Sequence, residues 1–465
     1  MKHLRQILLR RAFSLVLSLS LLSVAGILSS CSESTPIEPA GNNASTYSAA
    51  VPNAWFQLQL ELVQKTPGFS PPVASRAFGY SGVTLYQALL SGMPNRKTLE
   101  GQLNGLATDA LPKVEDGVEY HWPTVANAAL ARITSLLYAN ATTEMSGKIT
   151  ALEDQFVSEF LADVEGDVID RSVAYGKSVA DAIFEWSKTD GGHEGYKTNF
   201  PTTYTPPSGP GLWVPTPRRG GDPQPALQPY WGANRPFILN PTNPNEASEP
   251  GAPPAFSEDP SSAFYAEANE VYTTISNLTE AQRDIALYWA DDPGQTCTPP
   301  GHSISILTQC IEQTNKQLDF AAVAYAQVGI AVADAFIACW ESKYRYNLLR
   351  PITYIVNVID PAYDYNNLPV NTPPFPEYTS GHSVQSGASA EVLTSLFGNN
   401  FSFTDHTHDQ LGYAARAYTS FYEAADEAAI SRLYGGIHYR AAIDNGVDQG
   451  KKVGGQVVQS IDWGS

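Results

Sequence analysis

The sequence predicts an all-α protein made of two helical bundles with a proline-rich, irregular segment between them. Apolar residues recur at three- and four-residue spacing over most of the chain, whereas alternating strand patterns are scarce and no internal repeat is present. Glycine, proline, asparagine and threonine dominate near residues 189–260. Hydrophobic residues make up 43% of the 465 residues, which is enough for a large packed core.

The amino-terminal residues predict an export signal over 1–30. A basic start is followed by an apolar stretch from about Ala12 to Leu28, which is short for a membrane span. The residues that follow, up to Cys31, resemble a bacterial lipoprotein cleavage box, in which the cysteine is lipidated. We therefore expect export and a lipid anchor at Cys31 on a bacterial membrane, periplasmic or at the cell surface, with a flexible tether over 31–50.

The N-terminal bundle is predicted over residues 51–188. Apolar residues follow helical spacing in four stretches there, which are Ala54–Gln64, Pro71–Leu90, Pro123–Tyr138 and Thr143–Trp186. In the segment 189–260 proline prevents regular helix. Trp213 and Trp231 nevertheless indicate an ordered loop packed on the protein rather than a free linker.

The C-terminal bundle is predicted over residues 261–465, and we expect it to carry the functional site. Its helical stretches are Ser261–Ile275, Thr279–Trp289, Asn315–Tyr346, Ser380–Phe397, Asp409–Tyr434 and Ala441–Ile461. The long stretch that ends at Tyr346 is rich in alanine.

The charge balance makes local clusters of basic residues informative. The chain has 28 Lys and Arg against 47 Asp and Glu, a net charge of −19, which argues against nucleic acid as a partner. In the last part of the chain, basic and polar residues nevertheless form three clusters, which are Lys343–Pro351 (KYRYNLLRP), Thr379–His382 (TSGH) and Ser431–His438 (SRLYGGIH). Such a donor set suits a tetrahedral or trigonal-bipyramidal oxyanion, for example phosphate or vanadate.

The first two clusters also have structural interpretations of their own. Lys343 and Arg350 lie two helical turns apart and could share a face, but both could equally extend into water at a helix end. Ser380 can cap the helix that follows, and Gly381 allows close approach of its backbone amide. Capping does not explain His382, one residue past the glycine.

In the third cluster a glycine pair, Gly435 and Gly436, separates Arg432 from His438. The pair permits a helix break, so the histidine ring can be aimed independently of the helix. A core histidine bonded to a backbone carbonyl is the alternative interpretation.

In this order and spacing, the three clusters resemble the signature shared by vanadium-dependent haloperoxidases and the acid phosphatase superfamily related to phosphatidic acid phosphatases. The resemblance implies their helical fold and a vanadate cofactor. His438 would bind vanadium, or attack phosphorus in a phosphatase, and His382 would be the acid–base group. Lys343 would also polarise the peroxide. The residues expected to neutralise the oxyanion oxygens are Lys343, Arg350, Arg432, Ser380 and the amide of Gly381.

Two aromatic residues match the peroxidase branch of that superfamily. Trp340 and Phe375 correspond to residues on the halide side of the pocket, and some bromoperoxidases carry histidine at the position of Phe375. Core packing is the alternative role for both.

Two positions near the third cluster depart from the common pattern. The acid that commonly follows the histidine by four residues is Ala442 here, and Asp444 lies two residues later. Asp444 is a candidate neighbour of the site, but because it lies two residues further on, we expect a backbone carbonyl or another acid to orient His438. Asp292 is a candidate partner for Arg432.

The function predicted is therefore that of a vanadate-dependent haloperoxidase, which oxidises iodide or bromide with hydrogen peroxide to hypohalous acid. An acid phosphatase that hydrolyses phosphomonoesters through phospho-His438 is the first alternative, and a non-catalytic surface lipoprotein is the second. The expected partners are hydrogen peroxide, halide and, through Cys31, a lipid membrane.

The remaining histidines and cysteines receive structural predictions. His302 follows Pro-Pro-Gly and is expected in a loop near the pocket mouth, while His406 and His408 are expected at a solvated helix start, although they could hold a stray metal. Cys297 and Cys310 could close a small loop after export, and Cys339 is expected as a buried free thiol.

Overall fold

Helices dominate the architecture, as the sequence predicts. A computed structural model describes residues 43–219 and 221–464. The α-helices in this part of the chain are α1 (Ala50–Lys65), α2 (Pro71–Leu89), α3 (Trp122–Leu137), α4 (Thr143–Phe160), α5 (Gly166–Ser187), α6 (Ala263–Ser276), α7 (Glu280–Tyr288), α8 (Thr298–Gln313), α9 (Leu318–Tyr346), α10 (Pro351–Tyr354), α11 (Gly381–Phe397), α12 (Phe421–Tyr434) and α13 (Arg440–Ser460).

The other regular elements are short. Strands β1 (Phe403–Asp405) and β2 (Arg416–Tyr418) form an antiparallel pair in which Phe403 faces Tyr418. A π-helical stretch, Ile355–Ile359, continues α10. The 3-10 turns are Ala44–Thr46, Leu90–Gly92, Gly195–Lys197, Trp231–Ala233, Tyr365–Asn367 and Asp409–Leu411.

Helix α9 is the central element of the fold. By length and composition it could cross a membrane, but 94% of its most apolar 18-residue window is buried inside the protein. It packs against α2, α11 and α13. At Gly82 of α2 a Cβ atom would lie 2.4 Å from the carbonyl oxygen of Tyr325, so glycine permits the close contact between these two helices.

The proline-rich segment, residues 189–260, packs against α9 instead of forming a layer of its own. Trp213 is fully buried, and its amide donates to the carbonyl of Asn347. Asp334 of α9 is buried and accepts hydrogen bonds from three consecutive backbone amides of the segment, at 2.7, 2.9 and 3.2 Å, which are those of Phe237, Ile238 and Leu239. A carboxylate inside the core thus fixes an irregular backbone.

The predicted and observed helices differ at three places. The stretch Thr143–Trp186 is two helices, because α4 ends at Phe160 and α5 begins at Gly166, where glycine weakens the helix and Asp167 suits an N-terminus. Helix α12 begins only at Phe421, since β2 precedes it. Helix α8 was not predicted, because its prolines suggested a loop, but prolines are tolerated in the first helical turn.

Helix α8 also decides the state of two cysteines. Cys297 precedes the helix and Cys310 lies within it, so the helix separates them by roughly 20 Å, too far for a disulfide. Both are buried free thiols, as is Cys339.

Packing crosses the predicted bundle boundaries. One apolar cluster extends from Ala44 to Trp463 and includes residues of both expected bundles. The amide of Leu318, at the start of α9, donates to the carbonyl of Tyr47. The boundaries at 188 and 260 stay predictions, and the export signal and Cys31 lie outside the described residues.

Candidate active site

The three sequence clusters meet at the ends of four helices. Lys343 lies in the last turn of α9, and Arg350 immediately precedes α10. Ser380 caps the N-terminus of α11. Arg432 lies in the last turn of α12, and His438 lies in the link between α12 and α13. Gly436 in that link has a φ of +76°, a left-handed conformation that favours glycine and redirects the chain after α12.

The His438 ring is held by an acid that the sequence analysis did not identify. Its Nδ1 atom lies 2.8 Å from Oε1 of Glu377, which also accepts the amide of Tyr439 at 2.8 Å. Its Nε2 atom lies 3.2 Å from Nη1 of Arg350. An arginine only donates, so Nδ1 carries the proton and the lone pair of Nε2 accepts from Nη1 of Arg350.

Electrostatics keep that ring neutral. Burial, together with the nearby Arg350 and Lys343, holds the pKa of His438 well below its usual range. Burial raises the pKa of Glu377 to about 8, although Arg350 opposes the shift. Oε2 of Glu377 has no hydrogen-bond partner among the described residues. A neutral imidazole that presents its Nε2 lone pair is what a ligand or a nucleophile requires, and a group bound there would replace the hydrogen bond from Arg350.

Asp444, the acid suggested from the sequence, is exposed on α13 and makes no hydrogen bond to His438 among the described residues. Glu377 takes the orienting position instead. It lies 61 residues before His438, on the proline-rich approach to α11. The only signal for it in the sequence was an acidic residue among prolines and aromatic residues, next to the second cluster.

Lys343 is fully buried, and its ammonium group contacts backbone carbonyls. It donates to Pro376 at 3.2 Å, to Glu377 at 3.0 Å and to Thr379. Burial lowers its pKa to about 8. The carbonyls fix the ammonium group beside the N-terminus of α11, and one of the three must yield if the lysine is to contact an oxyanion.

The two buried arginines each retain a nitrogen without a partner among the described residues. Arg350 donates Nε to the carbonyl of Phe375 at 2.9 Å and Nη1 to that of Ile437 at 2.8 Å, but Nη2 is unsatisfied. Arg432 donates Nη1 to the carbonyl of Trp289 at 2.8 Å, but Nε is unsatisfied. Burial lowers the pKa of both arginines to about 10. Buried, unpaired guanidinium donors indicate a site for an anion.

The N-terminus of α11 adds further donors. The Ser380 hydroxyl accepts the amide of Ser383 at 3.3 Å and is the helix cap. A Cβ atom on Gly381 would come no closer than 3.8 Å to a neighbouring residue's atom, so there is open space beside its α-carbon, where the residue lines the cavity. The N-terminal amides and the dipole of a 17-residue helix favour an anion there.

His382, in the first turn of the same helix, is placed as a proton acceptor. Its ring bonds to the carbonyl of Trp289, and its Nε2 has no partner among the described residues. Burial and the charge of Arg432 hold its pKa well below the usual range for histidine. The ring is therefore neutral with a free Nε2 lone pair.

Four of these residues, Gly381, His382, Arg432 and His438, line a cavity of about 490 Å³. Aromatic and proline side chains form much of the rest of its lining. A small anionic substrate can thus reach the buried donors from solvent.

Comparison with known proteins agrees with this geometry. Residues 323–462 match the family model of the VCPO second helical-bundle domain. A vanadium chloroperoxidase from Curvularia inaequalis is 24% identical over 481 residues, which cover 83% of this chain and 78% of that protein. The crystal structure of a bacterial vanadium-dependent iodoperoxidase is 38% identical and superposes with a TM-score of 0.79, covering 90% of this chain and 98% of the other.

The chain belongs to the vanadium haloperoxidase family. An apo-type bacterial vanadium-dependent chloroperoxidase shares the fold at a TM-score of 0.61, with 15% identity over 85% of this chain and 94% of the other. As a member of this family the protein is a peroxidase-type oxidoreductase.

The hydrogen-bond donors of the site fit vanadate, the cofactor of vanadium haloperoxidases. Arg432, Gly381 and His438 line one cavity, and Arg350 lies against His438 with Nη1 3.2 Å from its Nε2. Nε of Arg432 and Nη2 of Arg350 have no partner among the described residues. Their positive charge is opposed only in part by Glu377, because burial favours its neutral form. A vanadate anion would supply the missing acceptors and negative charge.

The two predicted halide-pocket residues are in contact. The rings of Trp340 and Phe375 lie 5.0 Å apart, and both residues line the cavity. Phe375 also lies 5.0 Å from the Lys343 ammonium and 4.9 Å from the Arg350 guanidinium. The Trp340 indole donates to the carbonyl of Leu227 at 3.3 Å, so its ring face and edge, not its N–H, are available to the cavity. Their role towards halide stays a prediction.

Asp292 and Arg432 interact through space without a direct ion pair within 4.0 Å among the described residues. Asp292 lines the cavity and is half-buried. Burial raises its pKa, and the charge of Arg432 opposes that shift.

The predictions for two other histidines were wrong. His302 lies near the start of α8 and is fully buried, so it is not in a loop at the pocket mouth. His408 is only 3% exposed, so it is not a solvated residue. Their polar partners are aspartates distant in sequence, which the local pattern did not reveal. His406 is exposed, and its Nδ1 atom lies 2.8 Å from Asp409, as expected of a solvated position.

Proposed function

We propose that this protein is a vanadate-dependent haloperoxidase with iodide as its favoured halide. The overall reaction is the combination of halide, hydrogen peroxide and one proton to give hypohalous acid and water. The halide loses two electrons, and the oxygen–oxygen bond of the peroxide is reduced. The observation that carries the proposal is the pair of buried arginines with unpaired nitrogens beside His438, whose ring Glu377 holds with Nε2 as the acceptor nitrogen.

The residues would divide the work as follows. His438 would hold vanadate through Nε2, and Glu377 would fix the orientation of the ring. The oxygens of vanadate would be bound by Arg350, Arg432, Ser380, Gly381 and Lys343. When bound, vanadate supplies a Lewis acid that activates peroxide without itself changing oxidation state.

Proton transfer would fall to His382. Its neutral ring and free Nε2 can take a proton from incoming peroxide and return it to the leaving oxygen. The Trp289 carbonyl fixes the orientation of the ring. Lys343, a buried cation beside the same helix terminus, would polarise the peroxide.

The preference for iodide is inferred from the walls of the cavity. Trp340 and Phe375 present aromatic surface beside two buried cations. Because the edges of aromatic rings are weakly positive and apolar, they suit a large, weakly hydrated anion better than a small one that loses more hydration. The 38% identity to an iodoperoxidase supports the same choice.

The test compares three halides in one preparation. Purified protein is freed of vanadate and reconstituted, and oxidation of iodide, bromide and chloride by hydrogen peroxide is measured beside hydrolysis of a phosphomonoester. We expect vanadate-dependent oxidation that is fastest with iodide and is abolished in His438→Ala. Vanadate acting only as an inhibitor of phosphomonoester hydrolysis would replace the proposal with the phosphatase function.

We also propose that the protein is exported and lipid-anchored at Cys31. The basic start, the apolar stretch and the cysteine box of the first 31 residues support the anchor. Expression of the whole chain in a bacterial host, followed by membrane fractionation and mass spectrometry of the mature N-terminus, tests it. We expect a lipid-modified Cys31 in the membrane fraction and a soluble or uncleaved product from Cys31→Ser, and an unmodified, soluble wild-type protein would refute the anchor.

A further inference from the structure

A second cluster of buried side chains lies behind the wall of the active-site cavity. Asp291, in the loop after α7, lies between two histidine rings, with Oδ2 2.9 Å from Nδ1 of His302 and Oδ1 3.0 Å from Nε2 of His408. All three side chains are at most 3% exposed. We propose that Asp291, His302 and His408 bind one divalent cation of the zinc class, at a site separate from the vanadate site.

The contacts of His302 require a positive charge at this place. Its second ring nitrogen, Nε2, lies 2.7 Å from Oδ2 of Asp405. An ionised carboxylate only accepts hydrogen bonds, so Nε2 carries a proton. In a neutral ring Nδ1 then presents a lone pair to the carboxylate of Asp291, and two lone pairs 2.9 Å apart repel each other unless a proton or a metal cation lies between them.

The charges of the cluster match a divalent ion. Asp291 and Asp405 are both buried, and in the described part of the chain no Lys or Arg nitrogen lies within 4.0 Å of either carboxylate. One divalent cation with two neutral imidazoles balances the two negative charges. Two histidines and one aspartate are a ligand set typical of zinc and of related transition metals.

The surroundings of Asp405 support a metal-binding role for His302. Asp405 accepts from the Tyr288 hydroxyl at 2.7 Å, the Thr407 amide at 3.0 Å and the Thr407 hydroxyl at 2.6 Å. A histidine that binds a metal commonly donates its other ring N–H to a carboxylate fixed in this way. The ring of Trp289 stacks on His302 with centroids 4.3 Å apart and holds its plane.

The cluster is also connected to the catalytic groups. Asp291 lines the active-site cavity, which provides a route by which an ion can enter. The neighbouring Trp289 carbonyl accepts from both Arg432 and His382. A cation at this site would fix the position of that carbonyl. In metal-free protein the two carboxylates raise the pKa of His302 to about 10, so a proton competes with the metal.

The experiment measures metal content directly. The whole chain is purified without a polyhistidine tag or chelators, incubated with zinc and dialysed, and zinc and vanadium are quantified by mass spectrometry. We expect about one zinc per chain in the wild type, a loss of most of it in Asp291→Asn and His408→Ala, and no loss in the matched variant His406→Ala, whose ring is exposed. A chelator should lower Tm, and added zinc should restore it.

The proposed metal site can be refuted with the wild-type protein alone, so the test does not depend on whether a variant folds. Wild-type protein that retains no zinc after dialysis, and whose Tm is unchanged by zinc or chelator, contains a protonated histidine network instead of a metal. Loading the same protein with vanadate separates this result from the proposed function. His438→Ala should lose vanadium and keep zinc, whereas His408→Ala should lose zinc.

Discussion

Glu377 and His438 are joined by a 2.8 Å contact between Oε1 and Nδ1, inside a core where both side chains are almost fully buried. The contact fixes the tautomer of the ring, so that Nε2 is the nitrogen available to a ligand. Because the same oxygen accepts the amide of Tyr439, the carboxylate also fixes the backbone that carries the histidine. The acid thus controls both the position and the proton of the ring.

Glu377→Gln should weaken vanadate binding by roughly 10- to 100-fold, in the range known for partners of metal-binding histidines. The amide keeps an acceptor oxygen but cannot ionise, so it cannot increase the basicity of the ring as a carboxylate does. The measurement is a vanadate titration of the apo-protein, followed by halide oxidation. Asp444→Asn is the matched control, since Asp444 is exposed, and it should be indistinguishable from the wild type. An equal effect of both variants would contradict the role of Glu377.

Vanadate affinity should fall as the pH rises through the pKa of Lys343. Burial lowers that pKa to about 8, so the side chain is a cation below pH 8 and loses its charge above it. A bound anion favours the charged form of Lys343, so in the complex the lysine loses its proton only at a higher pH. Lys343→Met should bind vanadate about 10- to 100-fold more weakly at pH 7, as expected for a lost charge-assisted hydrogen bond.

The control for this prediction is the pH profile of Lys343→Met itself. Vanadate also changes its protonation with pH, and that contribution is common to both proteins. The ratio of the two affinities should therefore decrease from pH 7 to pH 9. A constant ratio would show that Lys343 keeps one charge state over this range.

Gly381→Ala should reduce vanadate affinity by at least about tenfold and leave folding nearly unchanged, because the helix propensity of alanine exceeds that of glycine. The added methyl would meet no neighbouring residue closer than 3.8 Å and would occupy open space at the cavity that Gly381 lines. Gly387→Ala, on the same helix, is the contrast, since its methyl would lie 2.6 Å from the carbonyl oxygen of Val447. It should cost about 1–3 kcal/mol of stability by overpacking.

Denaturant unfolding and vanadate titration of both glycine variants separate the two effects. Loss of stability without loss of affinity in Gly381→Ala would place the oxyanion elsewhere.

Asp334→Ala should lower the free energy of unfolding by about 3–5 kcal/mol, because several buried backbone donors would lose their partner. The segment around Phe237, Ile238 and Leu239 should become susceptible to proteolysis before the helices do. Limited proteolysis and urea unfolding provide the measurements. Asp284→Ala, an exposed aspartate on α7, should change stability by less than about 0.5 kcal/mol.

Much of the helical architecture could be predicted from the sequence, since apolar spacing and proline positions act over a few residues. The patterns anticipated α2 and α9 to within a few residues, because each buries apolar side chains along much of its length. Helix α8 was missed because Pro299 and Pro300 suggested a loop, and only the structure places them in a first turn.

Part of the active site could also be predicted from the sequence, and part of it could not. The order and spacing of three clusters, which resemble a family signature, predicted the site residues, although each cluster alone also had a structural interpretation. These residues are Lys343, Arg350, His382, Arg432 and His438. Three relationships were decided by the tertiary structure alone. Glu377 orients His438, and Asp334 anchors the proline-rich segment. Asp291 lies between His302 and His408. These partners are between 11 and 117 residues apart. A buried charge acquires its partner through packing between helices, and that packing leaves no periodic trace in the sequence.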